Sequence, residues 1–256
     1  MSLSKKVFMA ILTIAVILVV LLFINFIPSF SLKTKDMKEL QGDYFTLYYE
    51  NEEEAAFDIV RYAYDKIPVI VARLGMEGIN DVCVYLYDDQ KTMQRQKYGF
   101  IAPLLHLDWY IGDNIGTNVI LTSPKNPGTY HSGASVKEAS IHEIIHAYIS
   151  YMNPDIDLWL TEGMALFLSN GQEVNKETLL SIPLPSYADT KTKNPIRFTL
   201  SHAYNYAHTY IEYIKTAYGW DSVLKLIQTQ NYKKVFNKSR KAIYNEWIDF
   251  INYYYD

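Results

Sequence analysis

Two histidines and a glutamate lie close together in the sequence HEIIH, from His142 to His146. In a helix of 3.6 residues per turn, side chains four residues apart lie on one face, so both imidazoles can reach the same metal ion. Glu143 lies about 100° around the helix from His142, which keeps it out of the ligand set but near a metal-bound water. A carboxylate there can accept the proton of that water. The spacing therefore predicts a metal site that activates water.

The residues around this motif favour a buried helix over a solvated one. From about Ser135 to Met152 the sequence is apolar around much of the helical circumference, and a helix that is apolar nearly all round is buried. Buried His and Glu side chains need partners, and a metal ion is one such partner. Ser135 and Glu138 have the spacing of a capping box, so we expect the helix to begin there.

A catalytic zinc ion takes three protein ligands and keeps one coordination position open. The candidate for the third ligand is Glu162, which lies in the sequence WLTEGMA on the next predicted helix, about Leu158 to Ser169. Asp155 and Asp157, in the turn between the two helices, are alternatives. Glu162 could also be a surface carboxylate in the first turn of its helix, where the helix dipole favours negative charge.

The elements that must position these residues change in type along the chain. Strands come first and helices later, which predicts an α+β fold with a small mixed sheet lobe, about 43–133, and a mainly helical lobe, about 134–256. Asn170 and Gly171 should end the helix that carries Glu162. The predicted elements of the sheet lobe are a strand at 43–50, a helix at 52–74 that Pro68 should kink or split, a strand at 81–87, a short helix at 88–98, a loop at 99–116 and a strand at 117–122.

An unbroken apolar run from Val7 to Ile27 precedes the lobes, with Asn25 as its only strongly polar residue. The run is long enough to cross a bilayer as a helix, and it is longer than the apolar core of a cleaved signal peptide, which is the alternative. We therefore expect an N-terminal transmembrane helix in a membrane anchor at 1–30, then a linker at 31–42 and a folded domain at 43–256 that carries the metal motif.

The orientation of the anchor follows from its flanks. Lys5 and Lys6 precede the apolar run, and a short basic leader before such a run is typical of export signals. Lys33, Lys35 and Lys38 on the other flank argue in the opposite direction. On balance we expect a single-pass protein of the cell membrane with its domain outside the cytoplasm.

Composition excludes several other classes of protein. The chain has 24 Lys and Arg against 28 Asp and Glu, a formal net charge of -4, which argues against a nucleic-acid partner. Its single cysteine excludes an intramolecular disulfide framework and a Cys-rich zinc module. A hydrophobic fraction of 49% excludes a wholly disordered chain.

The HEIIH sequence followed by WLTEGMA resembles the gluzincin metallopeptidases, the group of thermolysin and the related aminopeptidases, and it is most similar to their small peptidase-MA-like members. The resemblance extends over roughly Asp43 to Tyr255, and its specific part is the pair of metal motifs. It implies a zincin-like fold and a zinc-dependent peptidase with a peptide or protein substrate. The implied cofactor is one Zn²⁺ per chain, bound by His142, His146 and Glu162.

The resemblance also implies features of the substrate site. The strand before the metal helix, at 117–122, would be a sheet edge that pairs with an extended substrate backbone. Family members use a Tyr or His to stabilise the oxyanion, and Tyr204 is the best positional match; His202, Tyr206 and His208 are rivals in the same region. The chain has no GxMEN-type strand of the aminopeptidases before the metal motif, which favours an endopeptidase.

One position departs from the family pattern. Thermolysin carries an Asp four residues after its ligand Glu, whereas this chain has Leu166. The partner that orients the ligand histidines is therefore open among Asp155, Asp157 and a backbone carbonyl.

The expected function is that of a membrane-anchored zinc peptidase with a metal-activated water, in which Glu143 is the general base for hydrolysis of peptide bonds. One alternative is a catalytically inactive binding module with a peptidase fold, anchored at the membrane. A second alternative is a structural zinc site, which would need a fourth protein ligand such as His202 or His208.

Overall fold

The computed structural model describes residues 3–169, 177, 179 and 181–255, and it has the expected α+β order. The predicted helix stop at Asn170 and Gly171 lies outside the described residues. Short 3₁₀ helices lie at Ile27–Phe30, Gly99–Leu105 and Asp189–Lys191. The other elements are α1 (Leu3–Asn25), β1 (Lys38–Gln41), β2 (Thr46–Tyr49), α2 (Glu53–Tyr64), α3 (Ile67–Leu74), β3 (Cys83–Tyr87), α4 (Gln90–Tyr98), β4 (Gly112–Ile115), β5 (Asn118–Thr122), α5 (Gly133–Met152), α6 (Leu158–Leu168), α7 (Pro195–Leu200), α8 (Ala203–Tyr218), α9 (Trp220–Thr229), α10 (Tyr232–Phe236) and α11 (Arg240–Tyr255).

The strands form one mixed sheet in the order β1-β2-β3-β5-β4. The three central strands, β2, β3 and β5, run parallel to one another, and the edge strands β1 and β4 are antiparallel to their neighbours. Side chains alternate between the two faces of the sheet. On β5, Val119 and Leu121 lie in the main core, whereas Ile120 packs on the other face with Tyr87 and Met93.

Both edge strands fall where no strand was predicted. β1 occupies the last part of the predicted linker, and β4 lies in the predicted loop at 99–116. The expectation that 117–122 is a sheet edge is wrong, because β4 pairs along that strand, with Gly112 opposite Leu121. β4 has the sequence GDNI, which has one β-branched residue and no clear apolar alternation, so local pattern does not indicate a strand.

Helices α2, α3 and α5 pack on the face of the sheet that carries the main core. The predicted split at Pro68 is confirmed, because α2 ends at Tyr64 and Pro68 is the second residue of α3. Proline is tolerated in the first turn of a helix, where its missing N–H would have no helical partner. This layer buries α5 against the sheet and fixes the position of the metal motif.

The helical lobe holds α6 between α5 and α8. A Cβ atom at Gly163 would lie 2.6 Å from the carbonyl oxygen of Ala207 on α8, so only glycine permits this approach of the two helices. Trp159 lies about one turn before Gly163 on α6. Its ring packs edge-on against Phe198, Tyr210 and Trp247, with ring centroids 5.4 to 6.0 Å apart. These contacts fix the rotation of α6 and hence the direction of its side chains.

The N-terminal helix α1 carries the apolar run and is long and apolar enough to cross a membrane, as a membrane span or a signal sequence would be. Its most apolar stretch is not buried against the rest of the protein. The helix ends at Asn25, and the predicted end of the run at Ile27 belongs to the 3₁₀ helix that follows, in which Pro28 is the second residue.

Candidate metal centre

Helix α5 begins earlier than the sequence pattern indicated. Ser132 is its N-cap, and the Ser132 hydroxyl accepts a hydrogen bond from the backbone N–H of Ser135 at 3.1 Å. The capping box therefore joins Ser132 and Ser135, and the predicted box of Ser135 and Glu138 is wrong, because Ser132 offers the same hydroxyl one turn earlier. The helix ends as predicted at Asn153, which places the metal motif in its second half.

The two histidines of α5 and the glutamate of α6 converge on one point. The Nε2 atoms of His142 and His146 lie 3.0 Å apart. Oε2 of Glu162 lies 3.3 Å from Nε2 of His142 and 3.5 Å from Nε2 of His146. These three side chains form a group that could hold a metal ion.

The triangle of ligand atoms has the dimensions of a tetrahedral zinc site. Ligand atoms at about 2.0–2.1 Å from zinc lie about 3.3–3.4 Å apart in a tetrahedron, close to the three distances above. Oε2 of Glu162 is buried, and no described residue donates a well-formed hydrogen bond to it. A buried carboxylate oxygen without a hydrogen bond is costly unless a cation satisfies it. The donor set and its spacing therefore fit a bound divalent metal.

The imidazoles and carboxylates of the site shift each other's pKa values towards their charged forms. Burial alone would raise the pKa of Glu162, but the adjacent imidazoles of His146 and His142 lower it below its ordinary value. Burial acts to lower the pKa of His142, yet the carboxylates of Glu162 and Glu143 outweigh it and raise that pKa. The site therefore holds Glu162 in its anionic form, which is the form that binds a metal.

The second ring nitrogen of His146 has a partner that the sequence did not indicate. Its Nδ1 atom lies 2.8 Å from the hydroxyl oxygen of Thr161, the residue before Glu162. If Nε2 binds a metal, the ring proton of His146 is on Nδ1, which then donates a hydrogen bond to that hydroxyl. Thr161 is therefore the side chain that orients His146, the role for which Asp155, Asp157 and a backbone carbonyl were the candidates.

The alternative ligands lie outside the metal group. Asp157 caps α6 by accepting the N–H of Leu160 at 3.0 Å, and it forms an ion pair with Arg240 at 2.6 Å. Asp155 is exposed in the turn. Within the described part of the chain, neither His202 nor His208 belongs to the group of His142, His146 and Glu162. A fourth protein ligand, as a structural zinc site requires, is thus not present among these candidates.

A cleft passes over the metal group. A cavity of about 430 Å³ is lined by the three ligand side chains, Glu143, Tyr204 and the first three residues of β4. A second cavity, of about 460 Å³, shares His142 and Glu143 with the first and continues past Ile111. The cleft therefore extends to both sides of Glu143 and follows the chain from Ile111 into the edge strand.

Gly112 allows the edge strand to pass close to Glu143. A Cβ atom at Gly112 would lie 3.4 Å from Cγ of Glu143 and 2.7 Å from the side chain of Leu121. Beside it, Asp113 contacts both Lys97 and the hydroxyl of Tyr110. Glu143 thus lies outside the metal group, lines the same cavity and approaches the backbone of β4 at Gly112.

The structure separates the candidates for an oxyanion donor. Tyr204 lines the cavity, and its ring packs edge-on against Phe198 at 4.8 Å. Burial, together with the charges of Glu162 and Glu143, raises the pKa of Tyr204, so its hydroxyl keeps the proton that it would donate. The hydroxyl of Tyr206 instead donates to the carbonyls of Leu179 and Ile182 at 2.7 and 2.8 Å. Tyr206 therefore has a packing role.

Comparison with models of known protein families gives no match, and comparison with curated proteins gives none.

Proposed function

We propose that the protein is a zinc-dependent peptidase of the gluzincin type, anchored in the cell membrane by α1. The observation that carries the proposal is the convergence of His142, His146 and Glu162 on one point, with Glu143 next to that point in an open cleft. These positions support the roles that hydrolysis would give to the four residues.

Zinc is the metal that best suits this donor set. Two imidazole nitrogens and one carboxylate oxygen are a typical set for catalytic zinc, which leaves a fourth position for water or substrate. The distances of 3.0 to 3.5 Å between the ligand atoms agree with tetrahedral geometry. The site also faces a cavity, so the fourth position is accessible.

A bound zinc ion would polarise the scissile carbonyl and make a water molecule more acidic. Glu143 lies next to the metal position without being a ligand, so its carboxylate is free to accept a proton from the water and then to donate it to the leaving amine. Tyr204 lines the same cavity and its raised pKa keeps its hydroxyl protonated, which supports a role as hydrogen-bond donor to the oxyanion of the tetrahedral intermediate.

The shape of the cleft favours a polypeptide substrate in extended conformation. β4 is hydrogen-bonded to β5 on one side, and no strand among the described residues pairs with its other side. Gly112, Asp113 and Asn114 of this strand line the cavity with Glu143. An extended peptide that pairs with β4 would bring a carbonyl group past Glu143, and the cleft continues to both sides, as an endopeptidase requires.

Helix α1 supports a location of the enzyme at the cell membrane. Its length and apolar composition support a single membrane span, and Lys5 and Lys6 before it favour a domain outside the cytoplasm. The substrates would then be exported peptides or the exposed parts of membrane and surface proteins.

The test combines metal analysis with proteolysis on the full chain in detergent. We expect about one zinc per chain after dialysis and cleavage of internal bonds in a mixed peptide library. Glu162→Ala should lose both, whereas Asp155→Ala, a matched carboxylate change in the adjacent turn, should keep both. Zinc without cleavage would favour a peptidase-fold binding module, and absence of zinc would contradict the proposal.

A further inference from the structure

The 3₁₀ helix Gly99–Leu105 presents apolar side chains on its outer side. Its sequence, GFIAPLL, has no polar side chain. Gly99 and Ala102 are buried, whereas Phe100, Leu104 and Leu105 are 55%, 75% and 42% exposed. A surface element of a water-soluble domain has polar residues on its outer side, and a contiguous apolar patch marks a surface that contacts something other than water.

This 3₁₀ helix is attached to the end of α1. The side chain of Asn25 donates from Nδ2 to the carbonyl of Tyr98 at 3.1 Å and accepts at Oδ1 from the N–H of Ile101 at 2.9 Å. A Cβ atom at Gly99 would lie 2.1 Å from the backbone oxygen of Asn25, so the two segments touch directly. The only strongly polar residue of the apolar run therefore binds α1 to the domain.

The connection after α1 adds to the same surface. Phe30, in the 3₁₀ helix Ile27–Phe30, is 68% exposed and packs on Phe23 of α1, with ring centroids 5.4 Å apart. Trp109 is 64% exposed and lines the site cavity. We use the term anchor-side surface for the exposed side chains of Phe30, Phe100, Leu104, Leu105 and Trp109.

We propose that the anchor-side surface is seated in the interfacial region of the bilayer that α1 crosses, on the side of the domain. The occupant is lipid because the two 3₁₀ helices that carry four of these five side chains contact α1. The apolar helix Ser4–Asn25 has 22 residues and is about 33 Å long, and the hydrocarbon core is about 30 Å thick. Asn25 therefore lies at the boundary of the hydrocarbon, and the 3₁₀ helix bonded to it lies at the same depth.

Exposed apolar side chains at that depth are stabilised by burial among the lipids, and Trp is enriched at such interfaces. The inference rests on the proposed membrane anchorage. For the proposed peptidase it has one consequence: Lys97, Tyr98 and Trp109 line the cavity and adjoin the lipid-facing residues. The substrate class would then be polypeptide segments close to the bilayer surface.

The test is a depth measurement on the full chain in lipid nanodiscs of phosphatidylcholine and phosphatidylglycerol. Cys83 is replaced by Ser, and a nitroxide label is placed at Leu104→Cys. Val16→Cys, in the middle of α1, reports anchorage. Val69→Cys is the matched control, since Val69 is an exposed apolar residue, at 58%, that lies on α3 among Lys66 and Arg73. Accessibility to oxygen and to a water-soluble nickel complex gives the depth of each label.

We expect the label at 104 to be several-fold less accessible to nickel than the label at 69, and intermediate between 69 and 16. Equal nickel accessibility at 104 and 69, with the label at 16 in lipid, would overturn the docking of the surface and leave anchorage intact. A label at 16 that is exposed to nickel would overturn anchorage as well. None of these results depends on peptidase activity, so failure of the proposed hydrolysis is measured separately.

Discussion

The hydroxyl of Thr161 lies 2.8 Å from Nδ1 of His146, and Thr161 directly precedes Glu162 in α6. One helix therefore supplies both a member of the candidate metal group and the hydroxyl that contacts the ring of another member. Thermolysin uses a carboxylate four residues after its ligand Glu, where this chain has Leu166. A neutral hydroxyl holds the ring of His146 in place without adding negative charge to the site.

Thr161→Val should weaken zinc binding, because it removes the hydroxyl and keeps the shape of the side chain. Loss of such an outer partner lowers metal affinity by about 10–100-fold. The affinity is measured by competition with a chromophoric chelator, and Thr161→Ser, which keeps the hydroxyl, should restore most of it. Equal affinity of the wild type and Thr161→Val would show that the contact with His146 does not orient the ligand.

Tyr204→Phe should reduce kcat and leave zinc content unchanged, because the hydroxyl acts on the oxyanion and not on the metal. Removal of one oxyanion donor lowers kcat by about 10²–10³-fold. Tyr206→Phe is the control, since the hydroxyl of Tyr206 bonds to the carbonyls of Leu179 and Ile182 and its loss should affect stability alone. A kcat for Tyr204→Phe within a factor of two of wild type would exclude Tyr204 as the donor.

The convergence of the candidate metal group could be predicted from sequence because the placement of its three residues depends mainly on local periodicity. His142 and His146 share a face of α5 by spacing alone, and Glu162 follows one short turn later. β4 could not be predicted in this way. Its four residues, Gly112–Ile115, form a strand because β5 offers them an edge, and that edge is a product of tertiary structure.

Thr161 illustrates the same limit at the level of a single side chain. A threonine inside a helix carries no local sign of a role, and it becomes a partner of His146 only when α5 and α6 pack together. The same limit applies to the contact that attaches the 3₁₀ helix Gly99–Leu105 to α1, since Asn25 and Gly99 are far apart in sequence and meet only in the folded protein.

Gly163→Ala should destabilise the protein and weaken its metal site together. The added Cβ would lie 2.6 Å from the carbonyl oxygen of Ala207, so α6 must move away from α8 and take Glu162 with it. Overpacking of this kind costs about 1–3 kcal/mol. Urea denaturation and zinc competition measure the two effects. Ala165→Gly removes a buried methyl group from the same helix, so it should cost about 1 kcal/mol from helix propensity and about 1 kcal/mol from lost burial. It should leave zinc affinity near wild type. An unchanged midpoint for Gly163→Ala would contradict the close approach.

Acid should destabilise the metal-free protein in part through His208. Burial lowers the pKa of His208 from 6.5 to about 4, so between these values the unfolded chain binds a proton that the folded chain does not. Stability from this residue is complete above about pH 6.5 and is lost as the pH falls towards 4, by about 3 kcal/mol at most. The measurement is urea denaturation with a chelator present, at several pH values, for wild type and His208→Gln. The difference between the two should shrink across this window; a constant difference would mean that His208 titrates normally.

The proposed role of Glu143 as the base of a zinc-dependent hydrolysis can be measured by comparing the wild type with Glu143→Gln. Zinc per chain and the rate of peptide cleavage are measured on the same samples. We predict equal zinc content and a cleavage rate at least about 10²-fold lower in the variant, because a general base contributes about 10²–10⁴-fold. Equal zinc content with equal cleavage rates would contradict the assignment of Glu143 as the base.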